Sequence, residues 1–167
     1  MKKIRMILLL SAIAIFSVNA QGQIANGNSQ LNAGVGFSDW GTPVYVGLDF
    51  GIRHDISLGI EGSFRSYNEN ISGKKYGNAI YGFSGNANLH FNRLLNIQNR
   101  WDFYAGLNLG FYAWETPSDY PNNGHSGLGW GGQVGVRYYF SNRFGLNLEY
   151  GGGNAFSGGK FGISYIF

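Results

Sequence analysis

From about residue 31 onward, bulky apolar side chains alternate with small or polar ones, a period of two that belongs to β-strands with unlike faces. Leu31, Ala33, Val35 and Phe37 alternate with Asn32, Gly34 and Gly36; Val44, Val46, Leu48, Phe50 and Ile52 alternate with Tyr45, Gly47, Asp49, Gly51 and Arg53. A third run sets Ile56, Leu58, Ile60 and Phe64 against Ser57, Gly59, Glu61, Ser63 and Arg65. A fourth sets Tyr81, Phe83, Ala87, Leu89 and Phe91 against Gly82, Ser84, Asn86, Asn88 and His90. The fifth begins at Trp101 and ends at Phe111, with Asp102, Tyr104, Gly106, Asn108 and Gly110 between its apolar positions. The sixth spans Leu128 to Phe140 with Arg137 on its polar face, the seventh Phe144 to Tyr150 with Asn147 and Glu149 on its polar face. In the last, Phe161, Ile163, Tyr165 and Phe167 oppose Gly162 and Ser164. The pattern predicts an all-β chain of about eight strands.

Connection lengths alternate as well. Arg53-His54-Asp55, Asn92 to Arg100 and Ser141-Asn142-Arg143 form short to moderate turns; Phe37 to Pro43, Tyr67 to Ala79, Glu115 to Gly127 and Gly151 to Gly159 form longer or looser loops. Short turns on one side and long loops on the other fit an antiparallel up-and-down barrel crossing an outer membrane, turns towards the periplasm. A turn at Ser141 to Arg143 would pair Phe140 with Phe144 and set Arg137 opposite Asn147, with Glu149 diagonal to it on the same face. Aromatics gather near the strand ends, where interfacial belts are expected. Trp101 and Tyr138 fall at the turn end, Trp130 and Tyr150 at the loop end.

Residues 1–20 read as a secretory signal: Lys2, Lys3 and Arg5, an apolar run from Ile7 to Phe16, then Val18-Asn19-Ala20 as a cleavage site. The apolar run is short for a membrane helix and polar Gln21-Gly22-Gln23 follows it. The expected mature domain is 21–167. Cleavage removes three of twelve basic residues and leaves nine against nine acids, so a basic patch for nucleic acid is not expected. With no cysteine there is no disulfide, thiolate nucleophile, cysteine-held metal or lipoprotein anchor.

Composition decides which face points outward. Twenty-eight glycines, 17% aromatic residues and only 13% charged residues suit a barrel whose bulky row meets lipid and whose glycine- and asparagine-rich row lines the inside. A soluble sandwich or lipocalin-like barrel also alternates, but would have to show water a face poor in charge and rich in glycine.

The export signal, this strand-and-loop pattern and the terminal Phe167 resemble the small eight-stranded outer-membrane barrels of the OmpA/OmpX type, across nearly all of the mature chain. The resemblance implies a transmembrane antiparallel barrel in the outer membrane of a Gram-negative bacterium. It also implies that Phe161, Ile163, Tyr165 and Phe167 are the signal read by the barrel assembly machinery. No peptidoglycan-binding segment follows, so cell-wall tethering is not implied.

An eight-stranded barrel is narrow enough for side chains to fill, so a wide channel is not expected. The charged residues placed in its lumen are Asp49, Arg53, Glu61, Arg65, Asp102, Arg137 and Glu149, read first as a hydrogen-bonded ionic plug and second as a narrow path for small solutes or ions. His125-Ser126, with Asp119 and Glu115 nearby, are the residues to weigh for lipid-modifying catalysis. Adjacency in a loop supplies no nucleophile–base geometry, and no catalytic residue is expected. His54, His90 and His125 lack ligand spacing, so no metal and no cofactor is expected. The glycines of Gly151 to Lys160 miss the offsets of a phosphate loop. Function falls to the loops, where Glu69, Lys74, Lys75 and Tyr76, and Pro117, Asp119, Tyr120 and His125, suit contacts with lipopolysaccharide or an extracellular ligand. The expected role is structural or surface-interacting, with membrane lipids as the standing partner.

Overall fold

A computed structural model describes residues 24, 26–38, 41–71, 73–118, 121, 126–154 and 157–167. The signal segment, Asp119, Tyr120 and His125 lie outside the described residues.

The alternating runs form eight strands: β1 (Ser29–Phe37), β2 (Val44–Arg53), β3 (Ile56–Ile71), β4 (Lys74–His90), β5 (Trp101–Glu115), β6 (Gly127–Tyr139), β7 (Phe144–Gly153) and β8 (Gly158–Ile166). Neighbours pair antiparallel in chain order, and β1 closes on β8 from Gln30↔Ile166 to Phe37↔Gly159, so the sheet has no free edge. Arg137 pairs with Asn147, and Phe140 donates its amide to the Phe144 carbonyl with their rings stacked at 6.4 Å.

The distribution of burial is that of a soluble protein turned inside out. Leu107 and Leu128 are each 72% exposed, while Gln30, Ser57, Asp102 and Ser164 are each 0% exposed. The buried apolar group consists mainly of tyrosines (Tyr45, Tyr104, Tyr112, Tyr139), which bring a hydroxyl inside with the ring. A water-exposed outer face of this kind would be untenable, and the soluble alternative fails on it. Lipid is the solvent that fits.

The strands run further than hydropathy indicates. Tyr67 to Ala79 is not a loop: β3 and β4 continue as a hairpin through six further pairs, from Ser66↔Ala79 to Ile71↔Lys74. The ladder to β2 ends at Val44↔Phe64 and that to β5 at Ala79↔Glu115, so the hairpin tip stands beyond its neighbours. β5 likewise reaches Glu115, and β7 and β8 narrow the expected 151–159 loop. Above the hydrocarbon the outward face no longer has to be greasy, so the apolar alternation fades while backbone pairing continues.

Candidate functional site

The inward row assembles two charged layers. Nearest the turn end, Arg137 from β6 reaches Asp102 on the adjacent β5 (Nη1–Oδ2, 3.0 Å) and crosses the lumen to Asp49 on β2 (Nη2–Oδ2, 2.7 Å). All three side chains are at most 4% exposed. The Asn32 amide donates to Asp49 (2.9 Å), and the Asn32 carbonyl oxygen accepts from Gln30 (2.8 Å) and Ser164 (2.7 Å). The Arg137 guanidinium also lies 4.2 Å from the centre of the Tyr104 ring. Its Nε has no hydrogen-bond partner.

On the next strands along the wall, His90 of β4 contacts Asp102 through Nδ1 (2.7 Å) and Ser57 of β3 through Nε2 (2.9 Å). The order Ser–His–Asp is that of an activated nucleophile. Here the serine is 0% exposed, neither lumen recess described below is lined by it, and the aspartate is also held by Arg137. The constellation sits at the turn end, where His90 also borders a recess with Asp55, Phe91 and Arg93.

Nearer the loop end, the Lys160 ammonium sits between Glu61 (2.7 Å) and Glu149 (2.9 Å) and faces the Tyr45 ring at 5.2 Å. The two layers are joined by hydrogen bonds, Tyr104 OH donating to Glu149 (2.9 Å) and Tyr45 OH to Asn147 (2.6 Å). A recess of about 660 Å³ opens above Lys160, between Pro43, Tyr45 and Tyr112, with Asn86, Asn108 and Gln133 along its wall. A smaller one of about 330 Å³ lies between the layers, and Tyr45, Glu61, Gln133, Glu149 and Lys160 border both.

Of the charged residues expected in the lumen, Asp49, Asp102 and Arg137 therefore meet in one layer, and Glu61 and Glu149 in the other. Arg65 is buried higher up, donating to the Ser38 hydroxyl at 3.1 Å. Arg53 corrects the expected lumen set: the β2–β3 register shifts after Gly51, and the side chain is exposed at the turn end. Lys160 and the Ser57–His90 pair belong to the network but do not stand out as lumen charges in the sequence. Carrying the Gly162–Ser164 alternation back one step places Lys160 inside, and the same alternation puts Ser57 and His90 on inner faces. Ser126 gives its oxygen to the Trp114 amide (2.9 Å).

Outside, Trp101 packs on Tyr138 (ring centres 4.8 Å) and Phe103 (5.9 Å) towards the turn end, while Trp130 and Tyr150 stand exposed towards the loop end. Phe161, Ile163 and Phe167 point outward, and Tyr165 packs between Phe144 (4.7 Å) and Phe167 (5.4 Å).

The fold matches solved barrels. OprG from Pseudomonas aeruginosa superposes with a TM-score of 0.68 at 10% identity, covering 89% of this chain and 99% of that one. The N-terminal barrel of Pseudomonas aeruginosa OprF gives 0.58 at 15% identity over 85% and 98%. Ail, the attachment invasion locus protein of Yersinia pestis, solved with the heparin analogue sucrose octasulfate, gives 0.56 at 12% identity over 85% and 99%. No curated protein matches the chain. The family model for the outer membrane protein β-barrel domain matches residues 8–166, nearly the whole length. With eight strands closed on themselves around a polar interior, the chain belongs to that family of Gram-negative outer-membrane barrels.

Proposed function

We propose that this protein works as a surface-interaction element: the barrel anchors it, and the projecting β3–β4 hairpin with the neighbouring loops contacts anionic saccharide outside the cell. The hairpin carries the reading. Its six extra pairs hold the exposed Lys74 and Lys75 beyond the rest of the sheet, with Lys74 5.3 Å from the centre of the Tyr76 ring. Two ammonium groups and an aromatic at a stiff tip suit the phosphates and sugars of lipopolysaccharide. The sulfated ligand carried by Ail is chemically akin. In this reading the lumen network is a structural plug and the chain is not an enzyme. The signal segment is removed after Ala20, and the outward residues Phe161, Ile163, Tyr165 and Phe167 serve assembly.

Binding of the purified protein in nanodiscs to lipopolysaccharide, before and after enzymatic dephosphorylation, tests this. The double variant Lys74→Glu/Lys75→Glu should weaken binding by about tenfold or more, the scale of one to two charge-assisted contacts. Unchanged affinity would remove the hairpin from the proposal.

A second reading, a narrow path for ions, draws on the two recesses that share a wall. Planar-bilayer recording separates the readings, because steady unitary openings from purified protein favour the path.

A further inference from the structure

The recess above Lys160 is the larger of the two lumen recesses and lies towards the loop end. Its mouth is formed by Ser38, Pro43 and Ser157–Gly159 at the loop end. Beneath it, the Arg137–Asp49–Asp102 layer, together with Tyr139 bonded to Gln30, seals the turn end with side chains at most 4% exposed. A pocket with a sealed floor suits retention of a small molecule rather than passage.

Charge selects the occupant. The ionisable groups lining the recess are two carboxylates, Glu61 and Glu149, and one ammonium, Lys160, a surplus of one negative charge. Each carboxylate keeps acceptor capacity: both Glu61 oxygens meet Lys160, and Glu149 divides its oxygens between Lys160 and Tyr104, whereas a carboxylate has about four lone-pair sites. These side chains remain 17% and 13% exposed, so they face the space rather than being sealed off. Arg65, the nearest other cation along β3, stands four residues higher, roughly 13 Å at strand rise, and meets the mouth of the recess at Ser38, away from the two carboxylates. Above the carboxylates, the rings of Tyr45 and Tyr112 and the side chain of Pro43, all buried, make an apolar collar.

We propose that this recess is a binding site for a small organic cation, whose ammonium sits beside Lys160 on Glu61 and Glu149 while its short apolar body lies between Tyr45 and Tyr112. Lys160 is then an internal competitor. It satisfies the carboxylates in the empty pocket and sets the affinity of whatever shares them.

Calorimetric titration of the full-length protein in nanodiscs with benzylamine, benzyl alcohol and benzoate tests the proposal, since the three probes share a shape and differ in charge. Benzylamine should bind saturably and at least about tenfold more tightly than the other two. Glu149→Gln should weaken it about tenfold, whereas Lys160→Met, which unmasks both carboxylates, should strengthen it by a similar factor. Each variant is first shown to be folded by heat-modifiable gel migration. If Lys160→Met does not fold, Ser63→Trp, which fills the recess and keeps Glu61, Glu149 and Lys160 in the chain, should abolish benzylamine binding. Equal binding of benzyl alcohol, no benzylamine heat, or an affinity indifferent to Glu149→Gln and to the recess variant would overturn the assignment.

Discussion

The Tyr104 ring occupies the space that a side chain on Gly135 would need. A methyl group added there would lie 2.2 Å from the tyrosine Cζ and 2.4 Å from its hydroxyl oxygen. The two residues face each other across the β5–β6 ladder, so the absence of one side chain is what lets the other stack on Arg137 and reach Glu149. Gly135→Ala should therefore dislodge the ring and cost about 1–3 kcal/mol, the usual penalty of overpacking. Urea unfolding in detergent micelles measures it. Gly132→Ala, where the added carbon meets only a backbone oxygen at 3.8 Å, is the control and should cost much less.

Arg137 is the only cation in its layer among the described residues, and two buried aspartates depend on it. Arg137→Met should destabilise by about 3–5 kcal/mol, because Asp49 and Asp102 stay desolvated and lose their guanidinium, keeping only the Asn32 and His90 contacts. Adding Asp49→Asn and Asp102→Asn to the same chain should return much of that loss. Recovery in the triple variant, read from the same urea midpoints, distinguishes uncompensated charge from a simple cavity.

Asn78 is 1% exposed and neither of its amide atoms has a hydrogen-bond partner. A buried amide without partners costs about 1–3 kcal/mol of desolvation. Asn78→Leu, nearly the same size, should leave stability unchanged or raise it. A clear loss of stability would mean that the amide is satisfied in solution.

Mass spectrometry of protein extracted from outer membranes should find a chain beginning at Gln21. A Phe167→Ser variant should reach that membrane in smaller, less heat-modifiable amounts, since it alters the outward row of β8. Normal yield of folded Phe167→Ser would remove that residue from the assembly signal.

The fold was legible because lipid makes one demand everywhere: each outward position within the hydrocarbon must be apolar, so period two survives in every strand. Val44 to Ile52 and Phe144 to Tyr150 can be read almost without error for this reason. Outside the bilayer the demand lapses. Asn68, Glu69 and Asn70 therefore look like loop residues although they pair with Gly77, Tyr76 and Lys75. The lumen was legible as to face but not as to partner. Alternation says that Arg137 points inward; it says nothing of Asp49, 88 residues away, which becomes its neighbour only when the barrel closes. Arg53 shows the complementary failure, since a register shift at a strand end cancels the parity on which the placement rests.

The β1–β8 seam carries a kinetic burden. Gln30 cannot meet Ile166 until the final strand has been made and delivered, so one ladder of β1 must wait through the addition of every other strand. During that interval a row of unpaired amides and carbonyls is exposed, a template for fusion with any passing strand. Shielding that row until the ring shuts is a requirement the topology places on the cell, and no substitution within the seam can lift it.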